Sequence, residues 1–213
     1  MVPPIPKSPP LDEARVLDAA FRVLETHGFA GLTIRRIADE LGVKNPALYW
    51  HFRNKQEIVN GMASRLLDRI TEMPLVIDNW RDWLREAAKW YRRTLLSVRD
   101  GAEVLSNANI SRSRHFADFQ RGIAFLAAEG FSERDATIGM VTMFDYALGV
   151  TYEHQADARL ATDAEPEPQL FVPLGTTKRT DARDTLFEGG LELILDGLGL
   201  RRSPSSHSPS RGG

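Results

Sequence analysis

An all-α fold is what this sequence predicts, and three observations predict it. Apolar residues recur at helical spacing along most of the chain, no stretch alternates with period two for long enough to make a strand, and glycines and prolines punctuate the helical runs. With 213 residues, 42% of them hydrophobic and 26% charged, there is material for one large or two small globular domains. The expected architecture is an N-terminal three-helix domain of helix-turn-helix type followed by a larger helical bundle.

Residues 1–10, MVPPIPKSPP, have no apolar stretch of the kind a secretion signal needs and read as a flexible arm. Over residues 11–27, Val16, Leu17, Ala20, Phe21 and Leu24 share one face, and Gly28 is placed to stop that helix. Thr33 can cap a short second helix through Leu41, and Gly42 supplies the left-handed backbone for leaving it. Pro46 suits the first turn of a third helix, where a missing amide proton costs little. Ile37, Ala38, Val43 and Leu48 then face one another inside a helix-turn-helix domain, residues 11–56.

Asn54 opens a fourth helix with Glu57 three residues later, and its apolar positions Ile58, Met62, Leu66 and Ile70 run to about Pro74. This helix begins the body, residues 57–199. Further helices are predicted near residues 78–98, 101–109, 113–129, 132–155 and 184–198. Residues 161–183, with Pro166, Pro168 and Pro173, read as a loop with room for one helical turn. The remainder, 200–213, ends in SPSSHSPSRGG and is too polar to build a core.

Composition also excludes function classes. The chain has no cysteine, so disulfides, thiolate metal sites and thiol nucleophiles are all absent, which fits a reducing cytoplasm. No run of about 18 apolar residues exists to span a membrane. The net charge of −2 is unevenly spread: residues 33–55 hold Arg35, Arg36, Lys44, Arg53 and Lys55 against Asp39 and Glu40. A basic site on an acidic body suits a polyanion at one end, although a solvated charged face has the same composition. No phosphate loop, His/Glu metal spacing or nucleophile elbow occurs, so neither an enzyme, a metal nor a cofactor is expected.

The stretch NPALYWHF, residues 45–52, sets four rings side by side on a chain that is 8% aromatic. Any one of them can pack a core, but four consecutive rings on a short helix cannot all point inward. A recognition helix in a major groove about 12 Å wide needs short leading side chains against base edges and flanking groups on phosphates. Asn45 can read an adenine edge, Pro46 and Ala47 can touch a thymine methyl, and Tyr49, His51 and Lys55 can bond phosphates. Leu48 and Phe52, four apart, should turn inward.

The stretch GFAGLTIRRIADELGVKNPALYWHFRNKQEIV resembles the N-terminal domain of the TetR family of transcriptional repressors. The resemblance implies a homodimer whose helix-turn-helix domains bind a palindromic operator in double-stranded DNA, and whose helical bodies bind a small-molecule inducer. It also implies that Arg35 reads a guanine, that Asn45, Pro46 and Ala47 contact bases, and that Thr33, Tyr49, His51 and Lys55 contact or position phosphates. LLSVRDGAEV, AFLAAEGFS, LGVTYEHQ and FEGGLELILDGL resemble the regulatory domain of the family's tetracycline repressors.

Departures from that pattern bear on the ligand. Leu105 falls where the tetracycline repressors carry a magnesium-ligating histidine, Ala87 and Gly122 replace two drug-contacting amides, and Glu153 matches an acidic residue of the magnesium site. One retained carboxylate holds a metal chelate poorly, so a mainly apolar inducer bound without metal is expected. Trp90, Tyr91, Phe144, Tyr146 and Tyr152 are candidate rings for its pocket; ordinary bundle core is the other reading of each. His115 and His154 read as surface or capping residues. The dimer is expected on residues 132–155 and 184–198, with Gly139, Gly149, Gly189 and Gly190 allowing close approach and Leu191, Ile194 and Leu198 supplying apolar area. Two other classes remain open: an architectural DNA binder whose body only dimerises, and an enzyme with an appended helix-turn-helix.

Overall fold

The computed structural model describes residues 11–73, 79–109, 115–160, 173–175 and 179–202. Within them the chain forms α1 (Glu13–Gly31), α2 (Ile34–Leu41), α3 (Asn45–Leu48), α4 (Lys55–Thr71), α5 (Trp80–Leu96), α6 (Gly101–Ser106), α7 (Phe116–Ala128), α8 (Glu133–Leu160) and α9 (Arg179–Gly199), with no strand among the described residues. The expected arm lies outside the described residues, as does the tail beyond Arg202.

The punctuation residues act where the sequence puts them. Thr33 Oγ1 accepts from the Arg36 amide at 3.2 Å to cap α2, and Gly42 closes it with φ 67°. Asn54 Oδ1 accepts from the Glu57 amide at 3.0 Å, while the Glu57 carboxylate reaches back to the Arg53 amide at 2.7 Å. Gly28, expected to end α1, instead kinks it with φ 68°, and one more turn follows to Gly31. The kink frees the Phe29 amide from the helical ladder, and Asp100 of the body accepts it at 2.7 Å.

Val16, Leu24, Leu32, Ile37, Leu48, Ile58 and Met62 are almost fully buried, so α1 to α4 close a small core of their own. That core is continuous with the body's through α4. The domain boundary expected at residues 56–57 falls inside this helix, whose 17 residues span about 25 Å. Leu66, Leu84, Leu95, Val104, Leu126, Met140, Met143, Ala147, Phe187, Leu191 and Leu195 extend the same cluster through the body.

Both long helices of the body exceed their expected lengths. α8 continues five residues past Gln155, and α9 starts at Arg179 rather than at Asp184. Tertiary contacts extend them: Arg183 Nε donates to Asp157 Oδ2 at 2.9 Å, and Ala182 is fully buried. The loop expected over 161–183 is therefore corrected at its last five residues. Pro173 and Leu174 form part of a 3-10 turn, and 161–172 and 176–178 lie outside the described residues.

Candidate nucleic-acid interface and ligand cavity

The basic end of the molecule presents a narrow ridge. α3 is a single turn, shorter than the third helix expected, because Lys44 offers no side-chain cap and the Leu48 carbonyl is taken by the amides of both His51 (3.0 Å) and Phe52 (2.9 Å). Leu48 and Phe52 are buried, as their spacing requires. Asn45 and Pro46 lead the turn exposed, Ala47 and His51 are half-buried, and Tyr49 is 52% exposed. Arg35 projects from α2 with its side chain 84% exposed, held only by a 3.9 Å approach to Asp39. Lys55 Nζ rests 4.8 Å above the Phe29 ring at the start of α4. The candidate contact residues therefore sit on α2 and its cap, on α3, in the turn that follows it at Tyr49 and His51, and at the start of α4.

Trp50 was given no role by sequence reasoning, yet it is 88% exposed. The signal was present: burying Leu48 and Phe52 on one side leaves the ring between them facing out. A large indole in solvent costs apolar hydration that a contacting surface would recover.

In the body, α4, α5, α6, α7 and α8 line a half-open cavity of about 590 Å³. Tyr91, Leu105, Ala87, Gly122 and Phe144, all expected at a pocket, line it together with Trp83, Phe119, Phe125 and Met140. The rings pack in two groups, with Tyr91 and Phe144 at 5.0 Å between centroids and Trp83 and Phe125 at 5.1 Å. Gly122 does not enlarge the space: a Cβ there would lie 2.6 Å from Met140 Cε and 3.0 Å from Trp83 Cη2, so those side chains already fill it.

Four expected pocket residues lie elsewhere. Trp90 donates its indole N–H to the Arg69 carbonyl at 3.0 Å. Tyr146 stacks on Phe187 and donates to the Leu186 carbonyl, and Tyr152 stands on the outer face of α8. Glu153 accepts from Arg183 at 3.1 Å. Ring type and motif register did not specify which way each helix turned. Trp83, one turn from Ala87 on the lining face of α5, was passed over.

The histidines also differ from expectation. His115 is 7% exposed at the start of α7, caps nothing and lines the cavity. Its Nε2 faces Ser64 Oγ at 3.3 Å and Asp68 Oδ1 at 3.4 Å, and Nδ1 lies 3.5 Å from Asp118 Oδ2. His154 is half-buried beside Arg92 and Asp184, and burial, followed by the Arg92 guanidinium, holds it below the usual imidazole range.

A polar seam joins the cavity to the DNA end. Asp100, in the left-handed region at φ 53°, is 3% exposed; one carboxylate oxygen takes the Phe29 amide and the other takes Arg159 Nη1 at 2.8 Å. Arg99 Nη1 donates to the Glu25 carbonyl at 2.7 Å. Gln155 fixes this turn from α8, donating to the carbonyls of Leu95 (3.1 Å) and Val98 (2.8 Å) and accepting from the Ala102 amide (3.1 Å). Five residues beyond Asp100, Leu105 forms part of the cavity wall.

α8 and α9 carry several exposed apolar side chains among the described residues. Ile138, Val141 and Tyr152 on α8, with Leu193 on α9 and Leu200 just after it, are exposed, and Gly149, Gly189 and Gly197 have no neighbouring atom where a Cβ would stand. Leu191 and Leu198, expected to supply a dimer, are buried within the chain instead; Gly139 packs on Leu198, Gly190 on Tyr146, and Ile194 packs against the core.

Comparison with known proteins agrees with this geometry. Residues 16–62 match the model of the bacterial regulatory proteins of the tetR family, and residues 74–201 match the tetracyclin repressor-like C-terminal domain. The tetracycline repressor protein class C of Escherichia coli is 34% identical over 200 residues, covering 88% of this chain and 90% of that protein. A TetR of class A in complex with 5a,6-anhydrotetracycline and magnesium is similar with a TM-score of 0.70 at 32% identity, covering 90% of this chain and 100% of the other. BioQ with its double-stranded DNA operator aligns with a TM-score of 0.69 at 31% identity, covering 89% and 98%. The metal in the class A complex finds no fit here: Leu105 offers an aliphatic wall to the cavity, and no group of three His, Asp or Glu residues among the described residues is placed to hold an ion.

Proposed function

Because this chain belongs to the TetR family of bacterial regulatory proteins, we propose that it is a cytoplasmic, ligand-responsive repressor that binds a palindromic operator as a homodimer and leaves it when a mainly apolar inducer fills the body cavity. The observation that carries this reading is the geometry of α6. One short helix bears Leu105 in the cavity wall and begins at Asp100, which holds the kinked end of α1 through the Phe29 amide. α4 gives a second link, with Lys55 at the DNA end and Leu67, Ile70 and Thr71 at the cavity. Gln56 and Asn60 tie α4 to the α6 exit, at the Asn107 carbonyl (2.7 Å) and the Asn109 amide (2.9 Å).

A ligand that displaces Leu105 acts on both links. It needs only to favour the arrangement in which the two α3 ridges no longer match successive major grooves, and a coupling of about 1–3 kcal/mol is typical. Arg35, Asn45, Pro46 and Ala47 take the base edges, while Thr33, Tyr49, His51 and Lys55 position the phosphates. The second copy sits on the exposed face of α8 and α9, where Gly149, Gly189 and Gly197 allow close approach and Leu193 and Leu200 supply buried area.

The test is operator release. An operator is recovered by binding-site selection, and apolar ring compounds are screened for release by mobility shift, with and without EDTA. Release that persists in EDTA supports the reading. Release by tetracycline with magnesium at about 1 μM, where a nanomolar ligand saturates, overturns the metal-free inducer.

A further inference from the structure

We infer that the cavity's ligand is a lipophilic cation: an aromatic molecule with one protonated amine, seated against Tyr91 and Asp145. This rests on the inducer role proposed for the cavity and narrows its chemistry. Tyr91 is 7% exposed and lines the cavity, yet its hydroxyl makes no hydrogen bond among the described residues. That hydroxyl is reached by solvent through the cavity, and an occupant that displaces this water must offer a hydrogen-bond partner in its place. Burial, then the nearby Asp145 carboxylate, pushes the Tyr91 hydroxyl above its usual range, so it stays a neutral phenol able to accept from a donor.

Asp145 lines the mouth of the same cavity from α8; it is solvent-exposed, and among the described residues no cation pairs with it. The lining cation Arg121 does not serve it, being paired with Asp118. Besides His115, the charged lining is thus two carboxylates and one guanidinium already engaged. An anionic ligand would be repelled by that carboxylate, and a neutral one would gain no ion pair from it, whereas a cation gains one at a site already partly open to solvent. An ammonium donates to Asp145 and to Tyr91 Oη together, while the tilted faces of Phe119 and Phe144, 6.4 Å apart, attract its charge. His115 Nδ1, buried without a hydrogen bond, adds a second polar anchor on the wall.

Three fluorescent probes of one shape test this on the full-length protein: 9-aminomethylanthracene as the cation, 9-anthracenemethanol as the neutral form, and anthracene-9-carboxylate as the anion. The amine should bind about tenfold more tightly than the alcohol, with the carboxylate weakest, an order that charge pairing at a half-open site accounts for. Asp145→Asn should remove the amine's advantage over the alcohol, and Tyr91→Phe should reduce it, with circular dichroism and melting confirming that both variants fold. Equal binding of amine and alcohol, or an advantage that survives Asp145→Asn because a partner-chain cation already neutralises Asp145, overturns the inference and leaves the cavity's inducer role standing. Saturable binding of none of the three overturns the cavity as a ring-binding site and the inference with it.

Discussion

Arg35 and Lys55 are both basic and both near the DNA end, but they are held differently, and they should fail differently when removed. Arg35 is free to extend, since its one ion pair is long and solvated. Arg35→Ala should cost about 1–3 kcal/mol and relax the preference at one guanine per half-site; binding-site selection that returns the unaltered operator would assign the side chain to phosphate instead. Lys55 keeps its ammonium over the Phe29 ring, at a helix start. Lys55→Ala should weaken every sequence alike and reduce the slope of log affinity against log salt by about one, measured by titration at several salt concentrations. The inward turn of Leu48 and Phe52 and the cap at Thr33 were legible in the sequence because spacing and side-chain chemistry act within a few residues. The burial of His115 was not, because Ser64 and Asp68 come from a helix about fifty residues away.

At the scale of elements, α5 and α9 are bound by a charged clasp. Arg85 Nε and Arg81 Nη2 donate to the Glu192 carboxylate at 2.6 and 2.9 Å. Those hydrogen bonds, Arg85's first, hold its pKa at about 2 instead of 4.5. A depressed carboxylate contributes stability that is present above its unfolded value and lost as pH falls through the folded one. The melting-temperature gap between the native chain and Glu192→Gln should therefore be constant above about pH 5 and close between about pH 4.5 and 2. A gap independent of pH would mean that the carboxylate's charge contributes nothing; solvent around the pair keeps the gap small in any case. α9 also separates two neighbouring residues by role. Leu193 is 74% exposed, whereas Ile194 packs inward. Leu193→Glu should yield folded monomers in sedimentation, and a dimer that survives it would move the interface off this face. Helix existence was readable throughout, but the extra turns of α8 and α9 depend on Arg159 and Arg183 finding partners across the bundle.

Across the whole molecule, the turn between α5 and α6 is where the body holds the DNA-binding end. Gln155→Ala removes three hydrogen bonds from that turn without touching the cavity lining or the α3 ridge. It should leave operator affinity nearly unchanged while reducing the ligand's effect on it by about 1 kcal/mol, read as the ratio of operator affinities with and without saturating ligand. An unaltered ratio would move the coupling to α4. The sequence by itself determined the helical class, the order of most helices, the helix-turn-helix and the inward turn of Leu48 and Phe52, because helical period, caps and glycine stops are local. Only the tertiary structure decided which rings line the cavity, that Gly122 makes room for Trp83 and Met140 rather than for ligand, and that Asp100 joins the two ends. Each of these depends on the rotation of one helix against another, and that rotation is set by packing between segments far apart in the chain.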